Sequence, residues 1–456
     1  DVAASRGTVH PRRIPQPTES QHEFSAPSDW LPVAGLPSRP EPDCGTVPPV
    51  ATETRDRGLR RVAAASYVGS VIEFYDFFIY GTAAALIGAV LFGHFGDRLG
   101  RKRALVVTLL MMGVATVGVG LIPGTAAIGV AAPLLLTALR VLQGLALGGE
   151  WAGSALLSAE HAPLGRRGYY GMFTQLGLGS ALVLANLVFL VVYGGFGADN
   201  PALLSWGWRV PFLLSAVLIV TALVVRTRVS ESPAFVSAVT GEAAAGGARE
   251  APIAALMREQ RRQFILVSVA VVGMLALVYE TGTFFTHFAS THMGFSASLV
   301  LLVGVLGGLC TVCAVAAAAI LSDAHGRRRV ITIGYCLAVP WSFAVLPLIA
   351  TGNAMVFAGA IMVTYTVIGI AMGPMAAFVP EMFATRYRYT GAGLSYNIGG
   401  IIGGGIPPVI SEYLLSEYGN GSIGVMLGSL CALSLLAVLM LNDVGDLNPV
   451  SVRNPA

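Results

Sequence analysis

Residues 93–102 read GHFGDRLGRK, and a weaker copy of that stretch, LSDAHGRRR, stands at 321–329. The aspartates of the two copies, Asp97 and Asp323, lie 226 positions apart. Each copy is short, charged and glycine-containing, and each lies between apolar runs of about twenty residues, the length that spans a bilayer. Arg and Lys mark the cytoplasmic loops of membrane proteins. The pattern therefore predicts a duplicated membrane protein, with one such loop at the cytoplasmic face of each half.

The composition is that of a chain that faces lipid over most of its length. Mean hydropathy is +0.71 and 12% of the 456 residues are charged, about half the share in soluble domains. The 55 glycines are typical of membrane helices that pack through small residues. No basic face for a nucleic acid, no nucleophile–base pair and no metal-ligand cluster stands out. Nucleic-acid binding, a metal site and an enzyme are therefore not predicted.

Eleven apolar segments follow a Pro-rich stretch. One of them, 127–158, is predicted as a single helix that is longer than the membrane is thick. The predicted organisation is a disordered tail at 1–54, a first helical bundle at 55–225, a cytoplasmic linker at 226–262, a second bundle at 263–441 and a tail at 442–456. The apolar segments are 63–92, 104–122, 127–158, 171–194, 209–225, 263–289, 299–321, 330–350, 354–379, 393–414 and 422–441.

Clusters of Arg and Lys give a second count of the spans. The intervals between successive clusters are 36, 62, 58, 64 and 56 residues, and two spans with their turn need about 45 or more. The first interval, 62–97, is too short. Either a stretch near Leu86 to Leu91 is missing, or 63–92 is a hairpin that barely reaches across. The expected fold is an all-α polytopic membrane protein with two six-helix bundles, the first short of about one helix.

A second repeated pair supports the duplication. Glu160 stands seven residues before Arg167, and Glu381 stands seven residues before Arg388, 221 positions further on. Parallel repeats of this kind place the substrate site at their interface near the middle of the membrane.

Charged residues inside apolar segments mark candidate sites, since each costs about 2.5–3.5 kcal/mol at the centre of a span. Glu73, Asp76 and Tyr80 share one helix face. Two carboxylates close together in a low dielectric suit one of them to carry a proton. The alternative is that both lie near the start of the helix and pair with Arg60 or Arg61 in water.

Arg140, Gln143 and Glu150 form a second stripe, beside Gly144 and Gly148, which would let a neighbouring helix approach. Arg140 lies about 18 Å from the outer boundary at 1.5 Å per residue, near the bilayer midplane. A cation there would attract an anionic substrate or hold a carboxylate ionised. The alternative is a structural ion pair.

The second half carries weaker candidates. Glu280, beside Tyr279 and two turns before His287, could be a proton site, or could lie near the membrane surface. Asn397 and the Gly- and Pro-rich run at 403–408 describe a helix that packs very closely or bends.

The residue types in the repeated loop suggest a role for each of them. Asp97 can cap the amino terminus of a helix or pair with an Arg of the opposite bundle. Gly93 and Gly100 permit a tight turn, and Arg101 and Lys102 hold the loop at the cytoplasmic face. Breaking such contacts would let the halves rock. Since no nucleotide-binding loop occurs, an ion or substrate gradient is the expected energy source and no cofactor is predicted.

At this point the sequence resembles the major facilitator superfamily, and within it the metabolite:proton symporter group, which includes transporters of shikimate, α-ketoglutarate, citrate and proline or betaine. The resemblance covers about 60 to 440. The stretches that carry it are IEFYDFFIYG at 72–81, GHFGDRLGRK at 93–102, RVLQG at 140–144, GGEW at 148–151, WGWRVPF at 206–212, PEMF at 380–383 and RYTGAG at 388–393.

The resemblance implies twelve helices, alternating access and substrate:proton symport, with gating at Asp97 and its neighbours. Three departures are clear, and one of them is the tail at 1–54, which is foreign to the family. The second loop has Ala319 and Ala324 where the fuller pattern carries Gly and Arg. Family members also carry about thirty more residues between Leu86 and Gly93, in agreement with the short first interval.

The expected site residues follow from these observations together. The substrate- and proton-binding candidates are Glu73, Tyr75, Asp76, Tyr80, Arg140, Gln143, Glu150, Tyr279, Glu280 and Asn397. The gating candidates are Gly93, Asp97, Arg98, Gly100, Arg101, Glu160, Arg167, Asp323, Gly326, Arg327, Arg328, Glu381 and Arg388.

The leading hypothesis is a monomeric multi-pass symporter of a bacterial cytoplasmic membrane, whose partners are the lipid bilayer, protons and a small organic acid similar to shikimate or a dicarboxylate. One alternative is a carrier of zwitterionic osmolytes such as proline or betaine. Another is a truncated family member that does not transport, and a solute-sensing receptor is a third.

Overall fold

The computed structural model describes residues 84–98, 100–163, 165–196, 200–228 and 251–441. Across these residues the chain is helical and contains no β-strand. Ten helical stretches are long and apolar enough to cross a membrane, and they correspond to ten of the eleven predicted segments. The all-α membrane fold is thereby confirmed. Most of the remaining segment, 63–92, both tails and 229–250 of the linker lie outside the described residues.

The first half contributes four of these spans, and helix α1 precedes them, described from residue 84 to residue 98. The helices are α1 at 84–98, α2 at Arg101–Leu121, α3 at Thr125–Ile128, α4 at Ala131–Glu160, α5 at Arg167–Phe196 and α6 at Arg209–Arg228.

The prediction of one helix over 127–158 is wrong at its start. Gly129 has a φ of +57°, a conformation that favours glycine, and it ends the short helix α3. The long helix α4 begins two residues later, with Pro133 in its first turn, where a missing N–H is tolerated.

The second half contributes six spans, two of them with an internal π-helical turn. One turn, Thr281–Phe285, joins α8 to α9, and the other, Gly400–Gly405, joins α14 to α15. The helices are α7 at Pro252–Glu259, α8 at Arg261–Glu280, α9 at Thr286–Thr291, α10 at Ala297–His325, α11 at Arg327–Ile349, α12 at Ala354–Met372, α13 at Met375–Glu381, α14 at Arg388–Gly399, α15 at Ile406–Tyr418 and α16 at Asn420–Met440.

Small residues let the helices approach closely, as predicted at two places. A Cβ added at Gly148 of α4 would lie 2.1 Å from the carbonyl oxygen of Ala85 in α1. A Cβ added at Gly403, in the second π-helical turn, would lie 2.2 Å from the carbonyl oxygen of Val272 in α8. The run at 403–408 therefore both bends and packs closely.

The two halves meet where α4 and α5 of the first half pack against α10, α13 and α14 of the second. Helix α5 packs along α10, and α4 packs against α14. At the centre of the first contact, a Cβ at Gly179 would lie 3.2 Å from the carbonyl oxygen of Gly308.

Candidate functional site

Asp97 links the two halves by capping a helix of the opposite bundle. Its carboxylate, near the end of α1, accepts hydrogen bonds from the backbone N–H groups of Tyr389 and Thr390, at 3.2 and 3.0 Å, and from the Thr390 hydroxyl at 2.8 Å. These N–H groups belong to the first turn of α14, where the helix itself supplies no acceptor. The predicted cap is confirmed, and it crosses from the first bundle to the second.

Asp323 makes the reciprocal contact. Its two carboxylate oxygens accept hydrogen bonds from the backbone N–H groups of Gly168 and Tyr169, both at 2.8 Å, in the first turn of α5. The second copy of the loop thus caps a helix of the first bundle. The sequence repeat therefore has a structural counterpart, in which each half closes on the other through the same kind of bond.

Two buried glutamates reinforce these caps. Glu160 forms an ion pair with Arg101 of its own half and another with Arg388 of the second half, the latter at 3.4 Å. The side chain of Glu160 is 6% exposed and that of Arg101 is 1% exposed. The guanidinium of Arg101 is therefore buried in an ion pair with Glu160 within the first bundle.

Glu381 occupies the equivalent position in the second half. It pairs with Arg327 of its own half at 3.1 Å and with Arg167 of the first half at 3.4 Å. Its side chain is 7% exposed. Two aspartate caps and two glutamate-centred pairs therefore hold the bundles together at the face that carries the arginine clusters, which we call the cytoplasmic face.

The other gating candidates have more local contacts. Gly100 and Gly326 have φ values of +112° and +90° and form the two tight turns. Gly93 is helical instead, and its Cβ would lie 3.1 Å from Thr390 Cα, so it permits close packing rather than a turn. Arg328 donates to the carbonyl oxygens of the α16 end at 438–439, within its own bundle. Arg98 is half-buried at the end of α1.

Burial changes the acidity of Asp97. Desolvation raises the pKa of its carboxyl to about 6, against the opposing effect of the hydrogen bonds from Thr390 and Tyr389 and of the Arg101 charge. An aspartate in water has a pKa of about 3.9. The closed arrangement therefore binds a proton at Asp97 more readily than an arrangement in which that side chain is hydrated.

This difference predicts a pH dependence of the closure. Acidification from pH 7 to 5 should favour the closed cytoplasmic face, because the buried form of Asp97 takes up its proton first. Labelling of a Gly177→Cys variant from that face slows with falling pH in any background, because the thiolate is the reactive form. We expect it to slow several-fold more over this range with Asp97 present than in Asp97→Asn, which keeps the acceptor oxygen and leaves Arg101, Arg388 and Tyr389 in place. The same pH dependence in both proteins would contradict the prediction.

A cavity of about 770 Å³ lies between the bundles, on the membrane side of these contacts. One of its lining residues, Tyr396, stands eight residues after Arg388, about 12 Å further along the helix axis. The residues that line the cavity include Leu147, Glu150, Trp151, Ser154, Phe173, Thr174, Gln175, Gly177, Leu182, Arg226, Leu275, Tyr279, Thr311, Tyr365, Met372, Tyr396, Asn397 and Gly400.

The cavity wall contains an ion pair. Arg226 near the end of α6 contacts the Glu150 carboxylate of α4 at 2.9 Å, and it also donates to the carbonyl oxygen of Leu105 at 3.2 Å. The two side chains are about a quarter exposed, at 22% and 25%. They therefore remain within reach of a solute that enters the cavity.

Aromatic and amide groups complete the wall. The Trp151 ring stacks on the Tyr396 ring of the opposite half with 3.7 Å between centroids. The Trp151 indole N–H donates to Gln175 at 3.0 Å, and the Gln175 amide donates to the carbonyl oxygen of Met372 at 3.0 Å. Asn397 donates to the carbonyl oxygen of Gly148 at 3.1 Å. Each of these contacts except that from Trp151 to Gln175 joins the two halves.

The structure separates the predicted substrate- and proton-binding residues into four groups, of which Glu280, buried in the second bundle, is one. Glu150, Tyr279 and Asn397 line the cavity. Arg140 and Gln143 are absent from its described lining. Glu73, Tyr75, Asp76 and Tyr80 lie outside the described residues.

Arg140 and Gln143 take part instead in a contact between helices of the first half. The Arg140 guanidinium donates to the Gln143 side chain at 3.1 Å, and the Gln143 amide donates to the Thr116 hydroxyl of α2 at 2.9 Å. The prediction for Arg140 used only its position along the helix, which indicates depth in the membrane. Which side of the helix faces the cavity depends on how the helix packs.

Sequence reasoning missed Arg226 and Gln175. Arg226 was assigned to the linker because it begins a run of polar residues, whereas α6 continues to Arg228. Gln175, which is 1% exposed, stands within the apolar segment 171–194. An uncharged polar residue inside a span was the available signal, since such a side chain needs a partner there.

Glu280 is buried inside the second bundle. It is the last residue of α8 and is fully buried, and one carboxyl oxygen is hydrogen-bonded to the Ser411 hydroxyl of α15. Its neighbour Tyr279 is 38% exposed and lines the cavity.

Comparisons with known proteins agree with this architecture. The profile of the Major Facilitator Superfamily matches residues 63–408. An inner membrane metabolite transport protein of Escherichia coli, YhjE, is 37% identical, over 84% of this chain and 94% of its own length. The shikimate transporter of Escherichia coli is 34% identical, over 84% and 94%. A proline/betaine transporter of Salmonella typhimurium is 27% identical, over 79% of each chain.

The alignment with YhjE runs over 420 positions, whereas 84% of the 456 residues is about 383, so about 37 aligned positions have no counterpart here. That shortfall agrees in size with the short first interval.

A solved structure has the same fold. The proton:xylose symporter XylE, bound to a bromodeoxyglucose, superposes with a TM-score of 0.65 at 17% identity, over 84% of this chain and 88% of its own. The profile match, the relatives and the paired bundles agree, and the chain belongs to the major facilitator superfamily, a family of membrane transporters.

Proposed function

We propose that this protein moves a small organic acid together with protons across a bacterial cytoplasmic membrane, by alternating access, as a monomer. The observation that carries the proposal is the ion pair of Glu150 and Arg226 in the wall of a cavity that is closed at the cytoplasmic face. The proton gradient supplies the energy, and no cofactor takes part.

The ion pair explains how an anion would be bound. Arg226 can exchange its contact with the Glu150 carboxylate for one with a substrate carboxylate, because both side chains are partly exposed in the cavity wall. Arg140, with Glu73 and Asp76, stays a second prediction for the same role, since two of these residues lie outside the described part of the chain.

The test uses purified protein in vesicles that contain the pH-sensitive dye pyranine. Addition of shikimate or 2-oxoglutarate outside should acidify the lumen, because protons enter with the acid. Protein-free vesicles are the control for passive entry of the protonated acid. No acidification with either acid above that control would count against proton-coupled transport of organic acids.

A zwitterionic osmolyte is the second candidate substrate. Among the described residues, the cavity wall holds the Glu150 carboxylate and the Arg226 guanidinium, together with the aromatic rings of Trp151, Tyr396, Tyr279 and Tyr365. Aromatic faces attract quaternary ammonium groups. Stronger proton entry with glycine betaine than with either organic acid, further increased by hyperosmotic medium, would favour this candidate.

The structure also bears on the possibility that the short first half prevents transport. Loss of one span would move 98–103 to the opposite face of the membrane. In the structure, Asp97 and Arg101 contact Thr390 and Glu160, so this loop lies at the same face as the others. A topology reporter after Lys102 should therefore be cytoplasmic, and an external reporter would favour an inactive protein.

A further inference from the structure

The second bundle contains a buried carboxyl group that the proposed substrate site does not use. Glu280 is 0% exposed, and one carboxyl oxygen contacts the Ser411 hydroxyl. The other oxygen is buried without a hydrogen-bond partner. No Arg, Lys or His side chain in the described part of the chain forms an ion pair with it. An unpaired carboxylate is strongly disfavoured in such a place, so the neutral acid is the form that fits.

The geometry at Ser411 supports the neutral acid independently. The Ser411 hydroxyl oxygen contacts both Glu280 and the carbonyl oxygen of Pro407, the latter at 2.8 Å. A hydroxyl has one hydrogen, and a backbone carbonyl can only accept. Both contacts are hydrogen bonds when protonated Glu280 donates to Ser411 and Ser411 donates to Pro407. The arrangement thus has a place for one proton on Glu280.

The helix that carries Glu280 and the helix that carries Ser411 each adjoin a π-helical turn. Glu280 directly precedes the π-helical turn Thr281–Phe285, and α15, which carries Ser411, follows the turn Gly400–Gly405. A π-helical turn holds one extra residue, and such turns are frequent at functional sites. A shift of one residue would rotate Glu280 by about 100°. Tyr279, Gly282 and Thr283, on either side of Glu280, already line the cavity.

We propose that Glu280, held by Ser411, carries the coupled proton, and that the two π-helical turns let it move between its buried position and the cavity. This inference rests on the proposed proton coupling and assigns the proton to a residue of the second bundle. In the buried position the carboxyl is neutral. When the turn shifts, the acid group reaches water in the cavity and releases the proton to it.

In the described part of the chain, the titratable groups closest to Glu280 in sequence or through its contacts include Tyr279 on the same helix, Tyr365 on α12 and Glu412, the residue after Ser411. The hydroxyl of Tyr365 is 3.9 Å from the position of a Cβ added at Gly282. Glu412 is 42% exposed and lies 3.6 Å from His292, so it has a different environment from Glu280. Glu412→Gln is therefore a matched control, since it makes the same chemical change on the neighbouring helix.

The first test measures the protonation state of Glu280 in the absence of substrate. Infrared difference spectra at pH 7 between the wild type and Glu280→Gln should show a carboxylic-acid C=O band that the variant lacks. Ser411→Ala should move that band to higher frequency, since a hydrogen bond is lost, and Glu412→Gln should leave it unchanged. Carboxylate bands in the wild type minus Glu280→Gln spectrum would overturn the proposal, whatever the outcome of transport assays.

The second test measures the coupling of proton entry to substrate transport. With shikimate and pyranine-containing vesicles, Glu280→Gln should reduce proton entry at least tenfold while it still exchanges internal for external shikimate. Wild-type proton entry in Glu280→Gln would overturn the assignment and leave the proposed symport intact. If the wild type shows no proton entry, the proposed function fails instead, and the infrared result still decides whether Glu280 holds a proton.

Discussion

Replacement of Asp97 and Asp323 together by alanine is expected to open the cavity to the cytoplasmic face. Each carboxylate accepts hydrogen bonds from the first turn of a helix in the opposite bundle. Loss of a cap costs about 1–2 kcal/mol, so the loss of both favours the open arrangement by about 2–4 kcal/mol, or about 30- to 1,000-fold. The effect is large because both bonds join the halves.

The measurement is the rate at which a membrane-impermeant maleimide labels a cysteine in the cavity from the cytoplasmic side. Gly177→Cys is a suitable reporter, because Gly177 lines the cavity and a Cβ there would meet no atom within 4 Å. The five native cysteines are first replaced. Labelling in inside-out vesicles should accelerate in the double alanine variant.

Asparagine at both positions is the matched control, since it caps a helix about as well as aspartate. We expect its labelling rate to stay within a few-fold of the parent. Equal acceleration by asparagine and alanine would show that the charges, and not the caps, hold the halves together. No acceleration by alanine would show that the pairs of Glu160 and Glu381 suffice for closure.

Replacement of Arg226 by glutamine is expected to lower substrate uptake by about 10- to 150-fold, the range expected for a charge-assisted hydrogen bond of about 1.5–3 kcal/mol. The change removes the cation from the cavity wall and leaves Glu150 without it. Uptake of radiolabelled substrate into vesicles, with KM and the maximal rate measured separately, checks the prediction. Loss of substrate binding should appear as a raised KM.

A second variant distinguishes a binding role from a structural one. If Arg226 only balances Glu150, the double variant Glu150→Gln with Arg226→Gln should recover most of the uptake, because no unpaired charge remains. If Arg226 binds the substrate carboxylate, the double variant should remain as impaired as the single one. Arg140→Gln, in the same half but outside the described cavity lining, tests the competing sequence-based hypothesis.

The sequence alone determined the class of fold and the duplication, and it marked the residues that contact the opposite bundle. Hydropathy and the spacing of arginines are local properties, so ten spans could be counted without knowledge of their packing. The repeated motif placed Asp97 and Asp323 in equivalent loops, and the spacing of Glu160 and Glu381 marked a second repeat. Capping chemistry then allowed the role of Asp97 to be predicted, though not its partner helix.

Only the tertiary structure decided which residues meet at the cavity. Arg140 and Arg226 are both arginines in the first half, and their depth along a helix did not show which one faces the opposite bundle. The burial of Glu280 against Ser411 likewise joins residues that are 131 positions apart. Rotation of each helix about its axis is set by packing against helices that are distant in sequence. Hydropathy patterns do not specify that rotation where nearly every face is apolar.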